Sequence, residues 1–175
     1  VVDTTVPTIT CPLDLVPVEA TSSAGATVLY NAAVAADIGD DSVDVTYSAA
    51  SGSTFAIGTT TVTVTATDDS SNVSTCSFDV VVTDLNAPTI TCAAAPASVE
   101  ATSSAGAAVS WTDSTQATAT DDGDSSAAIT YSLASGSTFA IGTTAVTATA
   151  TDDSGNTSTC TFNVTVADTA SPAIT

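Results

Sequence analysis

SGSTFAIGTT stands at positions 51–60, and the same ten letters stand again at 135–144. The two copies lie 84 residues apart, and their surroundings repeat as well. VEATSSAGA at 18–26 returns at 99–107, and VPTITC at 6–11 is echoed by APTITC at 87–92. TATDDSSNVSTCSFDVVVTD at 65–84 lines up with TATDDSGNTSTCTFNVTVAD at 149–168. Self-similarity of this kind marks tandem modules. Cys11 to Cys92 is a spacing of 81 and Cys76 to Cys160 one of 84, so three extra residues enter the second copy, near Thr115–Thr120. The 175 residues therefore divide into one module at 1–84 and a second at 85–168. Residues 169–175 read as the start of a following module or a linking strand. Each copy has the size of an immunoglobulin-like sandwich and buries only a modest core.

The letters between the repeats are those of strands. In Thr59–Asp68 the apolar Val62, Val64 and Ala66 alternate with Thr61, Thr63, Thr65 and Thr67. In Ser74–Asp84, Cys76, Phe78, Val80 and Val82 share one face, with Val81 the exception. Val146, Ala148 and Ala150, and then Cys160, Phe162, Val164 and Val166, repeat the pattern. Period 2 with β-branched residues is the strand signature. Clusters such as IGDDS at 38–42 and DDGDSS at 121–126 are turns between them. No stretch carries a helical apolar stripe. The opening decapeptide reads as a plug: Phe55 and Ile57, two apart between Gly52 and Gly58, are both expected to enter the core.

Charge is one-sided. The chain has nineteen Asp and Glu and no Lys, Arg or His, a formal charge of −19. No side-chain ion pair is possible, so each carboxylate must be solvated, hydrogen-bonded or neutralised by a bound cation. Such a surface repels phosphate backbones and anionic lipid, which excludes nucleic acid as a partner. With 43 % hydrophobic residues in regular alternation, the chain is acidic but folded. No apolar run reaches the roughly 18 residues a spanning helix needs, and no signal peptide is visible, so a mature or excised piece of something larger is expected.

Four cysteines fall two per copy at matching positions. Three connectivities are open, and the repeat favours pairing within each copy, Cys11–Cys76 and Cys92–Cys160. That usage implies an oxidising compartment. A four-cysteine metal site lacks the usual CxxC spacing.

These motifs together resemble tandem hyalin repeats, the HYR modules. The resemblance rests on Pro-x-Ile-Thr-Cys, VEATSSAGA followed by an aromatic at Tyr30 or Trp111, SGSTF-x-x-GTT, TATD, and a Cys before F-x-V-x-V. It covers nearly the whole chain. It departs from the family in lacking every basic residue and in carrying Ala56 and Ala140 where Pro is frequent. The resemblance implies all-β, immunoglobulin-like modules arranged end to end, an extracellular or cell-surface setting, a structural or adhesive role, and no catalysis.

The residues agree that catalysis has little to stand on. Without His or Lys the usual bases and activators of nucleophiles are missing. The informative polar features are the acidic turns. The first copy offers Glu19, Asp37, Asp40, Asp41, Asp68, Asp69 and the joint residue Asp84; the second offers Glu100, Asp121, Asp122, Asp124, Asp152, Asp153 and Asp168. Ca²⁺ takes six to eight oxygens, which Asp-rich turns can supply. The alternative is a solvated acidic surface with turn-forming Asp side chains. Sequons occur at Asn72, Asn156 and Asn163, of which the two in matching turns, Asn72 and Asn156, are the expected glycan carriers.

The boundary motif Asp-x-x-x-Pro recurs at Asp3–Pro7, Asp84–Pro88 and Asp168–Pro172. Short joints of this kind point to head-to-tail assembly with identical modules into a filament or long stalk, with a glycan or cell-surface partner as a further expectation. The runner-up is a carbohydrate-binding or accessory module, which would need an aromatic platform such as an exposed Trp111.

Overall fold

A computed structural model describes residues 3–39 and 41–172. The chain forms two compact units, 1–85 and 86–175. Unit one contains β1 (Thr8–Thr10), β2 (Val18–Glu19), β3 (Ala26–Thr27), β4 (Val34–Ala36), β5 (Asp44–Tyr47), β6 (Thr54–Phe55), β7 (Gly58–Thr67) and β8 (Val73–Thr83). Its main sheet has the order β2-β8-β7-β5, with β2 parallel to β8 and the other pairs antiparallel. Two short antiparallel pairs, β1-β4 and β3-β6, form the second layer.

Period 2 explains the core. Val62 and Val64 on β7 and Phe78, Val80 and Val82 on β8 point inward, meeting Ala26, Val28 and Phe55 from the second layer. Each fully buried Val contributes about 1.5–3 kcal/mol. The Cys11–Cys76 disulfide pins the end of β1 to β8, closing a 65-residue separation.

Unit two repeats the plan with β9 (Thr89–Cys92), β10 (Val99–Glu100), β11 (Ala107–Ala108), the single-turn helix α1 (Asp113–Gln116), β12 (Ala117–Thr120), β13 (Ala128–Tyr131), β14 (Thr138–Phe139), β15 (Gly142–Thr151) and β16 (Thr157–Ala167). Its sheet order is β10-β16-β15-β13, with pairs β9-β12 and β11-β14, and a Cys92–Cys160 disulfide. The three added residues appear as α1, whose buried Gln116 donates from Nε2 to the Ala94 carbonyl. Each unit is an immunoglobulin-like β-sandwich.

The repeated blocks hold one another. Gly25 of VEATSSAGA sits at φ +104°, and a Cβ there would fall 1.8 Å from the Phe55 carbonyl oxygen. Gly106 stands in the same relation to Phe139. The Ser51 hydroxyl accepts from Tyr30 N–H at 2.9 Å and donates to the Tyr30 carbonyl at 3.0 Å; Ser135 does the same for Trp111 at 2.9 and 2.7 Å. The decapeptide is therefore a clasp on the segment that carries the aromatic, just beyond β3 in unit one and β11 in unit two.

One expectation is corrected. Phe55 and Phe139 are buried at 3 % and 2 % exposure, but Ile57 and Ile141 are 38 % and 48 % exposed. The isoleucines lie in the link between a two-residue strand and the next long strand, where alternation does not carry across.

Candidate cation site

Three segments of unit one converge on an acidic corner. The first is Asp3, four residues before the buried Pro7. The second is the turn after β4, where Asp37 Oδ1 accepts from Gly39 N–H at 2.9 Å. The third is the β7–β8 turn, where Asp68 N–H donates to the Asn72 carbonyl at 3.1 Å and the Ser71 N–H donates to the Asp68 carbonyl at 3.1 Å. One carboxylate oxygen from each of Asp3, Asp37 and Asp68 lies within 4.8 Å of the others. Gly39 is what lets them close, since a Cβ there would fall 2.5 Å from Asp3 Oδ2.

The three carboxylates are not equally satisfied. Asp68 is buried, and Asn72 serves both of its oxygens: Asn72 N–H donates to Oδ1 at 2.7 Å and Nδ2 donates to Oδ2 at 2.7 Å. Burial alone would raise its pKa. Hydrogen bonds from the Asn72 side chain and from the backbone of Asn72, Ser70 and Ser71 together outweigh burial and hold it below the ordinary value. Asp3 Oδ2 and Asp37 Oδ2, by contrast, are buried atoms with no hydrogen-bond partner among the described residues. Buried polar atoms are rarely left so, and two such oxygens beside a third carboxylate is an arrangement a hard cation relieves.

The other acidic candidates are placed elsewhere. Asp41 and Asp69 are exposed, and Asp40 lies outside the described residues. Glu19 Oε1 accepts from Leu85 N–H at 2.8 Å, tying down the chain two residues past the last strand of unit one. Glu100 does the same in unit two, accepting from Thr169 N–H and Oγ1–H at 2.7 Å each and from Ala170 N–H at 3.1 Å. These bonds, the Thr169 side chain foremost, hold Glu100 below the usual carboxylate range. Both glutamates act as straps.

In unit two, Asp121 and Asp152 repeat the turns of Asp37 and Asp68. Asp121 Oδ2 accepts from Gly123 N–H at 2.8 Å, and Asp152 accepts from Asn156 N–H at 2.7 Å and from its Nδ2 at 2.9 Å. Asp124 accepts from the Asp153 N–H, while Asp122, Asp153 and Asp168 are exposed. Asp84 is the counterpart of Asp3 in the repeat register. Asp3 itself is absent from the acidic set read from turns alone, although its recurrence before Pro7 marks it.

Trp111 is half-buried rather than displayed. Its ring centroid lies 5.3 Å from Phe162, 5.8 Å from Tyr131 and 6.0 Å from Phe139. The described residues contain no helix long and apolar enough to cross a membrane. The sequon residues Asn72 and Asn156 both spend their side-chain amides on the neighbouring aspartate.

Comparison with known proteins places these features. The HYR domain family model matches residues 2–82 and again 83–166. Hyalin of Strongylocentrotus purpuratus is 34 % identical over 148 residues, covering 83 % of this chain and 12 % of that protein. The chain thus spans about one eighth of that relative's length. Among solved structures, human protocadherin-24 EC1-2 aligns with a TM-score of 0.40 at 19 % identity, covering 93 % of this chain and 99 % of that one. Protocadherin gamma B2 cadherin domains 1–5 align at 0.47 and 18 % identity, covering 95 % and 41 %. Drosophila N-cadherin EC1-4 aligns at 0.44 and 15 % identity, covering 94 % and 50 %.

Proposed function

The chain belongs to the HYR domain family, and on that premise we propose that it is an adhesive repeat whose tandem modules assemble head to tail with identical modules into a stalk or filament, stiffened by calcium at the acidic corner. Its setting is extracellular, in keeping with the family and with a disulfide in each unit. The observation that carries the reading is completeness in duplicate. Each unit closes its own core, its own disulfide, its own clasp and its own glutamate strap. Self-sufficient modules can be multiplied along a chain, whereas a single catalytic centre gains nothing from such copying.

Calcium fits the corner on chemical grounds. Asp3, Asp37 and Asp68 would hold the ion, each through a carboxylate oxygen, and the ion would neutralise charge that no basic side chain is present to balance. A Ca²⁺ bound there would lock the segment before β1 to the two turns, removing slack next to the module boundary. Trp111 supports this reading over sugar binding, since its indole is spent on internal packing.

Beads coated with the chain test the adhesive role. They should cluster when millimolar Ca²⁺ is added and disperse when it is chelated. Beads that stay dispersed at every calcium concentration, while the protein remains folded by circular dichroism, would contradict it.

A further inference from the structure

The two units differ at one spot on the outer face of the main sheet. In unit one, Thr61 on β7 stands opposite Asp79 on β8, and the Thr61 hydroxyl donates to Asp79 Oδ1 at 2.7 Å. The Asp79 N–H donates in turn to Asp14 Oδ1 at 2.9 Å. In unit two the same three repeat positions hold Ala145, Asn163 and Ala95, and Thr165 stands in place of Val81. Ala145 stands opposite Asn163 in the ladder, and both are exposed. The Asn163 side chain has no hydrogen bond among the described residues. A mutually satisfied surface cluster has become an open Asn-Val-Thr sequon facing solvent, while Phe162 and Val164 on either side remain buried.

We propose that Asn163 is an N-glycan acceptor, and that Asn72 and Asn156 are not. Transfer joins Nδ2 to the anomeric carbon of an oligosaccharide carried on a lipid pyrophosphate. The carbon–oxygen bond to the pyrophosphate breaks, and Nδ2 gives up one proton. Afterwards a single N–H remains on that nitrogen. Asn163 loses nothing by this, and the small Ala145 leaves room across the ladder. Asn72 uses Nδ2 twice, toward Asp68 Oδ2 at 2.7 Å and toward the Asp3 carbonyl at 3.3 Å, so a glycan there would break the acidic corner. Asn156 Nδ2 donates to Oδ2 of the buried Asp152 at 2.9 Å, and its one remaining N–H would have to keep that bond with the sugar held against the turn. The glycan would sit on one face of the second unit only, since Asp79 occupies the matching place in the first.

The test is site mapping on the chain secreted from human cells, by enzymatic release of glycans in heavy-oxygen water and mass spectrometry of the peptides. The expected result is occupancy at Asn163, with Asn72 and Asn156 unmodified in the folded, disulfide-bonded protein. Asn163→Gln should remove the mass shift, and so should Thr165→Val, which restores the letter of the first copy without touching the asparagine. Unmodified Asn163, or a glycan on Asn72 or Asn156 in folded protein, would overturn the proposal.

Discussion

Asn72 grips both oxygens of Asp68, its backbone N–H on Oδ1 and its Nδ2 on Oδ2, each at 2.7 Å. Hydrogen bonds to a buried carboxylate are among the stronger ones, and losing one leaves an acceptor unserved. Asn72→Ala is therefore expected to lower the melting temperature of the first unit, by on the order of 5 °C for a domain of this size. Asn156→Ala should do the same to the second unit. Scanning calorimetry, which resolves the two units if they melt separately, checks both; an unchanged transition would refute the grip.

The decapeptide supplies an internal control. Phe55 is buried and Ile57, two residues on, is largely outside the core. Phe55→Ala should cost about 3–5 kcal/mol, whereas Ile57→Ala should stay within about 0.5 kcal/mol. Urea unfolding of each variant measures the difference. Equal losses would restore the two-residue plug.

Ser71 adopts φ +69° where the second copy has Gly155 at φ +89°. The left-handed conformation costs a residue with a Cβ roughly 1–2 kcal/mol. Gly155→Ser should destabilise the second unit by about 1 kcal/mol. Ser71→Gly should gain less, because glycine also loosens the unfolded chain. Chemical denaturation of the reciprocal pair gives both signs; a loss on Ser71→Gly would contradict the strain.

Glu100 carries a pH dependence whose sign is fixed by its partners. Thr169 and Ala170 donate to the ionised carboxylate, so its folded pKa lies below the unfolded one of about 4.3. The stabilisation is full above that unfolded value and is lost as pH falls through the lower folded value. Glu100→Gln should flatten this part of the acid limb of a melting curve, and the Thr169 amide resonance of the unmutated chain should titrate with Glu100. Superimposable acid limbs and a Thr169 amide that ignores pH would contradict the strap.

Much of this was legible in the letters, for physical reasons. Strand faces were readable because β7, β8, β15 and β16 are long enough for period 2 to run undisturbed through Val62, Val64, Phe78 and Val80. Ile57 misled because alternation fails in a link between strands. The helix at Asp113–Gln116 is a single turn, too short for any period to show. Two of the three carboxylates of the corner were visible as Asp37 and Asp68, whereas Asp3 joins them across the fold. Its carbonyl meets Asn72 over a sequence separation of 69, and only tertiary structure sets such a contact. Glu19 and Glu100 looked like cation ligands because composition cannot tell a carboxylate that meets backbone N–H groups from one that meets other carboxylates.

Calcium at Asp3, Asp37 and Asp68 is proposed to stabilise an adhesive module. The most direct measurement is the melting temperature of the chain in calcium and in chelator, beside an Asp3→Asn, Asp37→Asn double variant that leaves the Asn72–Asp68 grip untouched. A rise of several degrees with Ca²⁺ is expected in the unmutated chain, as when a ligand binds only the folded state. The double variant, which lacks two of the three carboxylates, should lose that rise. Identical transitions in calcium and chelator would contradict it, leaving the corner an acidic surface and no more.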